Sequence, residues 1–151
     1  VIAIDTVGAK LGKCRDLGAE AVVDASKENV AEALAEFTGG RGLDVAVDFV
    51  GIPATLETAV GALGKGGRLV TLSGNTPDPF SVSAGRLLWG ELEILGSRSF
   101  TKQEIRDSLE LVARGELWPF VTETYKLEEA EKVHERLEAG LITGRAAIVM
   151  D

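Results

Sequence analysis

The stretch GLDVAVDFVGIPATLETAVGALGKGGRLVTLSG, residues 42–74, decides the fold. Val45, Val47 and Val50 surround Asp48 and Phe49 in a short β-branched, apolar run of the kind a buried strand needs. Gly51 permits a turn, and Pro53 opens a helix without wasting a backbone donor. Leu56, Ala59, Val60 and Leu63 then recur at helical spacing, with Gly64 placed as a C-terminal cap. Lys65, Gly66 and Gly67 read as a turn, and Leu69 to Leu72 as a second buried strand ending in Ser73 and Gly74. Strand, helix and strand with turns this short form a βαβ unit with parallel strands and a right-handed crossover. The carboxyl ends of the strands then share an edge, which carries Phe49, Val50 and Gly51 beside Leu72, Ser73 and Gly74. Open α/β sheets bind ligands at that edge.

Composition bounds the rest. A length of 151 residues suits one domain with a sizeable core. The formal net charge of -8, with no basic run to offset it, argues against a nucleic-acid partner. No apolar run approaches the roughly 18–20 residues that span a bilayer, and no signal-peptide pattern is present. Cys14 is the only cysteine, so neither an internal disulfide nor a cysteine-rich zinc site can form. These features predict a soluble, cytoplasmic protein with no membrane partner.

In chain order, Val1 to Asp5 reads as a buried strand ending in an acidic residue, and Lys10 to Leu17 as a helix capped by Gly18. Ala21 to Val23 is a short strand, and Ser26 is placed to cap a helix whose apolar face is Val30, Ala33, Leu34 and Phe37. After the central unit, residues 75–79 read as loop, Leu92 to Gly96 as an edge strand, and Lys102 to Arg114 as a helix. Val121 to Tyr125 is a strand candidate. Leu127 to Leu137 follows as an amphipathic helix with Leu127, Ala130, Val133 and Leu137 inward, and Arg145 to Val149 as a last strand. Trp89 and Trp118 read as packing anchors, Cys14 as a small core residue and His134 as a surface or boundary residue. Asp44 and Asp48 share a strand face but lie about 13 Å apart by strand rise, which suits structural roles rather than joint acid–base work.

The segments VIAID, AEAVVD, DVAVDFVG, GGRLVTLSG, LEILGSRSF, LEEAEKVHERLEAG and GRAAIV occur in one order and spacing. As an ordered set they resemble the cofactor-binding half and carboxyl end of the medium-chain, zinc-type alcohol dehydrogenases, over nearly the whole chain. The resemblance implies an α/β, doubly wound parallel sheet of Rossmann type. Such domains begin with a strand and a Gly-x-Gly-x-x-Gly turn that holds a pyrophosphate at a helix start. Neither GGRG at Gly39 nor GKGG at Gly64 has that spacing, so the first strand and the fingerprint are expected upstream of Val1. The family's catalytic zinc ligands, mostly Cys and His from a preceding domain, are not in this sequence. Residues 1–151 are therefore read as a partial NAD-binding domain, with about 121–151 returning towards a catalytic domain.

By itself Asp5 reads equally as a turn or cap residue. The resemblance implies that it accepts hydrogen bonds from the adenosine ribose hydroxyls of NAD. The same resemblance places Lys10 near the cofactor, though a solvated helix residue is its plain alternative. It places Arg145 on the dinucleotide phosphates, where a guanidinium fork suits a pyrophosphate. Ser97 and Ser99 fall in the stretch whose backbone meets the nicotinamide carboxamide. Phe49, Val50, Gly51, Leu72 and Ser73 complete the cofactor-binding candidates by their place at the strand ends. Phe49, Val50 and Leu72 also suit a core. No catalytic acid, base or metal ligand can be named.

The parent function these readings predict is NAD-dependent, zinc-assisted oxidation of an alcohol or reduction of an aldehyde or ketone, with the 151 residues alone inactive. A zinc-free quinone-reductase-type enzyme of the same superfamily using NADPH, and a non-catalytic nucleotide-sensing domain, are the rival readings. Self-association as a homodimer or tetramer is expected through the edge strand Leu92 to Gly96, outermost in the order 3-2-1-4-5-6. In that order the absent strand lies between Val1 to Asp5 and Val45 to Val50, and an open gap there would strand buried backbone groups. Direct pairing of those two strands, a strand from another copy, or a longer parent chain would each resolve it. A sequence beginning mid-pattern without methionine favours the last.

Overall fold

The computed structural model describes residues 1–74 and 76–150; Asn75, expected in a loop, lies outside the described residues. The elements alternate: β1 (Ile2–Asp5), α1 (Gly8–Asp16), β2 (Ala21–Asp24), α2 (Val30–Phe37), β3 (Leu43–Asp48), α3 (Pro53–Ala62) and β4 (Leu63–Thr71). They continue with α4 (Ala84–Gly90), β5 (Glu93–Gly96), α5 (Lys102–Ala113), β6 (Val121–Lys126), α6 (Ala130–Glu138) and β7 (Arg145–Val149). Every strand pair is parallel, as alternating helices and strands require. No described helix is long and apolar enough to cross a membrane.

The chain divides into two compact units, Val1–Thr6 with Ala19–Ser99, and Val7–Gly18 with Phe100 onward. In the first, the pairs run β1–β2 and β3–β4–β5. The β1 and β3 strands are not hydrogen-bonded to one another, so direct pairing across the expected gap is not found. In the second unit β6 pairs with β7. There Arg136 Nη2 donates to both Glu123 carboxylate oxygens at 3.1 and 3.2 Å, and the Tyr125 hydroxyl donates to the same carboxylate, tying α6 to β6.

The central βαβ unit forms and holds the core, although Val45, Val47 and Val50, read as part of a buried strand, are exposed. Leu56 and Val60 of α3 meet Leu63 and Leu69 of β4, with Leu69 fully buried at 0 % exposure. Each such side chain contributes about 1.5–3 kcal/mol on burial. Helix α3 begins with Pro53 in its first turn and stops at Ala62, one residue before the expected Leu63. Leu63 pairs with Leu43 instead, opening a bulged β4 where a glycine turn was expected. Two features explain this. A Cβ at Gly64 would lie 2.6 Å from the Arg41 carbonyl oxygen, so only glycine allows the chains to approach there. Arg86 Nη2 then donates to the carbonyl of Leu63 at 2.6 Å and to that of Val60 at 3.3 Å, which also accepts the Leu63 amide, so the helix end is held where it stops.

Other expectations need correction. Asn29, not Ser26, caps α2, accepting from the amides of Ala31 and Glu32, because Ser26 is engaged with Asp24. Helix α4, with Ser83 as its cap, was not expected at all. Trp89 and Trp118 are 81 % and 73 % exposed, so neither anchors packing. Of the predicted inward face of α6, Val133 is buried, whereas Leu137 is exposed and Leu127 sits exposed in a preceding 3₁₀ turn. Cys14 is half-buried and His134 exposed.

Candidate functional site

The parallel register aligns Asp48, Thr71 and Gly96 in one row across β3, β4 and β5. The ladder runs one residue further: Leu72 N–H donates to the Asp48 carbonyl and Ser97 N–H to the Thr71 carbonyl, both at 2.9 Å. Phe49, Leu72 and Ser97 therefore start their loops side by side. The structure thus brings Phe49, Val50, Gly51, Leu72, Ser73 and Ser97 to one carboxyl edge, with Ser99 two residues on. Phe49, Val50 and Leu72 are exposed there, not core.

Gly51 is what lets the edge close up. It is buried with φ +73, and a Cβ on it would meet the carbonyl carbon and oxygen of Ser73 at 2.5 Å. Positive φ and backbone contact together restrict this position to glycine. The turn before it is organised by Asp48, whose Oδ1 accepts from the amides of Val50 at 3.1 Å and Gly51 at 2.6 Å. Sequence reading assigned Asp48 only a structural role; an aspartate two residues before a turn amide is the signal that points to this one. Thr71 Oγ1 donates to the Ser73 carbonyl at 2.9 Å, fixing the facing loop. Ser99 adopts φ +60, a left-handed conformation uncommon outside glycine.

A second carboxyl edge belongs to β1 and β2, where Asp5 pairs in register with Asp24 and Ala25 N–H donates to the Asp5 carbonyl at 3.0 Å. Asp5 is half-buried. The Asp24 carboxylate accepts from the Lys27 ammonium and from the Ser26 amide and hydroxyl. Its pKa is lowered from 3.8 to about 2, first by the Lys27 hydrogen bond and then by that of Ser26. Lys10 and Arg145 lie in the other compact unit. Lys10 is half-buried on α1, and Arg145 is exposed at the start of β7, its amide donating to the Phe120 carbonyl at 2.8 Å.

Asp44, the other aspartate of β3, pairs with Arg41 at 2.6 Å. That partner holds its pKa below the usual value. Among the described residues no group of three or more His, Cys, Asp or Glu side chains is placed to hold a metal ion.

Known proteins carry the same architecture. Residues 1–114 match the family described as zinc-binding dehydrogenase. An NAD-dependent alcohol dehydrogenase of Sulfolobus acidocaldarius is 29 % identical over 98 % of this chain and 42 % of its own length. The crystal structure of the alcohol dehydrogenase from Aeropyrum pernix superposes with a TM-score of 0.89 at 34 % identity, covering 99 % of this chain and 42 % of that one. The benzyl alcohol dehydrogenase of Acinetobacter calcoaceticus, at 24 % identity and a TM-score of 0.88 over 98 % of this chain and 42 % of its own, shares the fold. The chain spans less than half the length of these relatives. With the family matched over most of its residues, and the parallel α/β order in place, this chain belongs to the zinc-binding dehydrogenases, the medium-chain, zinc-type alcohol dehydrogenase family.

Proposed function

We propose that this chain is the dinucleotide-holding portion of an NAD-dependent alcohol dehydrogenase acting on an alcohol and its aldehyde or ketone. The observation that carries the reading is the β3–β4–β5 carboxyl edge, where exposed apolar side chains surround a closely packed glycine turn. When bound, NAD supplies the hydride acceptor. Phe49, Val50 and Leu72 form an apolar wall for its nicotinamide end beside Gly51 and Ser73, and the backbone at Ser97 and Ser99 meets the carboxamide. The Asp5 carboxylate accepts from the ribose hydroxyls. The zinc in the family's description does not fit the described residues: Cys14 is half-buried, His134 is exposed on α6, and among the described residues no donor set surrounds either. In this reading residues 121–151 lead towards the domain that holds the substrate.

The test follows from Asp5. A carboxylate that binds two ribose hydroxyls repels a 2′-phosphate. The full-length enzyme is expected to have a specificity constant for NAD well above that for NADP, and the 151 residues alone to show no zinc-dependent turnover. A preference for NADP overturns the assignment of Asp5, and turnover by the isolated chain overturns the division of labour.

The same reading includes self-association along β5, which pairs with β4 and with no other described strand. Ser97 N–H points to β4, so strand alternation turns the Gly96 N–H away from it, towards a partner. Gly96→Pro removes that donor without touching the core and is expected to release monomers in sedimentation velocity. A wild-type protein that sediments as a monomer ends the proposal.

A further inference from the structure

We infer that Asp48 is a positioning residue for dinucleotide binding, acting through the turn it holds; this rests on the reading of the β3–β4–β5 edge as a cofactor site. Asp48 is 8 % exposed and is the buried charged residue among the described core. A carboxylate persists in such a place only when donors compensate its lost hydration. Its donors are the amides of Val50 and Gly51, both on Oδ1 at 3.1 and 2.6 Å. Its own carbonyl accepts the Leu72 amide at 2.9 Å. One residue thus fixes the shape of the β3 turn and its distance from the β4 loop.

The consequence for a ligand is chemical as well as geometric. With two successive amides committed to Asp48, the turn has those donors withdrawn from anything bound at the edge. What it presents is the exposed Phe49 and Val50 side chains. Such a surface suits a flat apolar ring face and is poorly suited to phosphate, which needs donors. Releasing the amides by removing the carboxylate would both loosen the Gly51–Ser73 approach and invert the polarity of the turn.

The experiment uses the full-length enzyme and titrates NADH by its fluorescence. Asp48→Ala is expected to weaken NADH binding about thirty-fold, and Asp48→Asn, which keeps an acceptor oxygen without its charge, about five-fold. The KM for NAD should rise in the same order while the KM for the alcohol stays within about two-fold of wild type, a split that general loss of stability does not produce. Asp5→Ala serves as the comparator. If Asp5→Ala weakens NADH binding while a folded Asp48→Ala binds like wild type, the inference about Asp48 fails and the site reading stands. If neither variant alters binding, the site reading fails and takes the inference with it. Should Asp48→Ala not fold, Asp48→Asn decides alone, and an affinity equal to wild type overturns the proposal.

Discussion

Asp24 ends β2 and Asp48 ends β3, and each accepts the amide of the residue two positions on, Ser26 at 3.0 Å and Val50 at 3.1 Å. From that shared start they diverge. Asp24 adds side-chain donors, the Ser26 hydroxyl and the Lys27 ammonium, whose own side chain is 74 % exposed. Asp48 adds a second backbone amide, from a glycine wedged against the next strand's loop. The first arrangement joins a largely covered carboxylate to an exposed ammonium and responds to pH and salt. The second is made of backbone and responds to shape. Within one unit, the same residue at the same strand position builds an electrostatic edge in one place and a steric one in the other.

The sharpest way to break that contrast is to add a methyl group. Gly51 and Gly39 both have positive φ, +73 and +58, but only Gly51 has backbone within reach of a Cβ, at 2.5 Å. Gly39→Ala bears only the conformational cost, about 1 kcal/mol. Gly51→Ala adds displacement of Ser73, which cannot swing aside like the end of a flexible side chain, for a total of about 3 kcal/mol. Urea unfolding of the two variants reads the difference directly. Equal losses would mean that the β3 turn relaxes freely and that its close approach to β4 is incidental.

The same contrast explains what could be read from the chain alone. The central unit announced itself because β-branched residues, Pro53 and the Leu56–Val60 spacing all point one way, and the packing of Leu56 and Val60 agrees, while Val45 and Val47 stay exposed. The end of α3 did not, since Leu63 fits a helical face as well as a strand. What decides it is Arg86, twenty-three residues later, reaching the Leu63 carbonyl. Helix α4 escaped notice because a seven-residue segment with glycine at both Gly85 and Gly90 has no useful period. At the candidate site, strand endings brought Phe49 and Leu72 to one edge, because in-register parallel strands need only that, whereas Ser97 was named through the family resemblance and the register sets it beside them. Periodicity assigns a residue to a face but does not reveal what a carboxylate will accept, so the roles of Asp48 and Asp24 appear only with the loops in place.

The smallest effect, and the one that most cleanly separates the two edges, lies in acid. The Lys27 and Ser26 hydrogen bonds lower the folded Asp24 pKa to about 2 from the 3.8 of an unperturbed side chain. A folded pKa below the unfolded one means that stabilisation is fully present above 3.8 and is lost as pH falls through the window down to about 2. Asp24→Asn keeps the acceptor oxygen and removes the charge. It is therefore expected to melt below wild type at pH 7, with the gap closing as pH drops through that window. Added salt should narrow the gap at neutral pH as well, since Lys27 is largely exposed. A gap that stays constant down to pH 2 would show that the β2 edge depends on the shape of the Asp24 turn rather than on its charge, and would make it a second copy of the arrangement at β3.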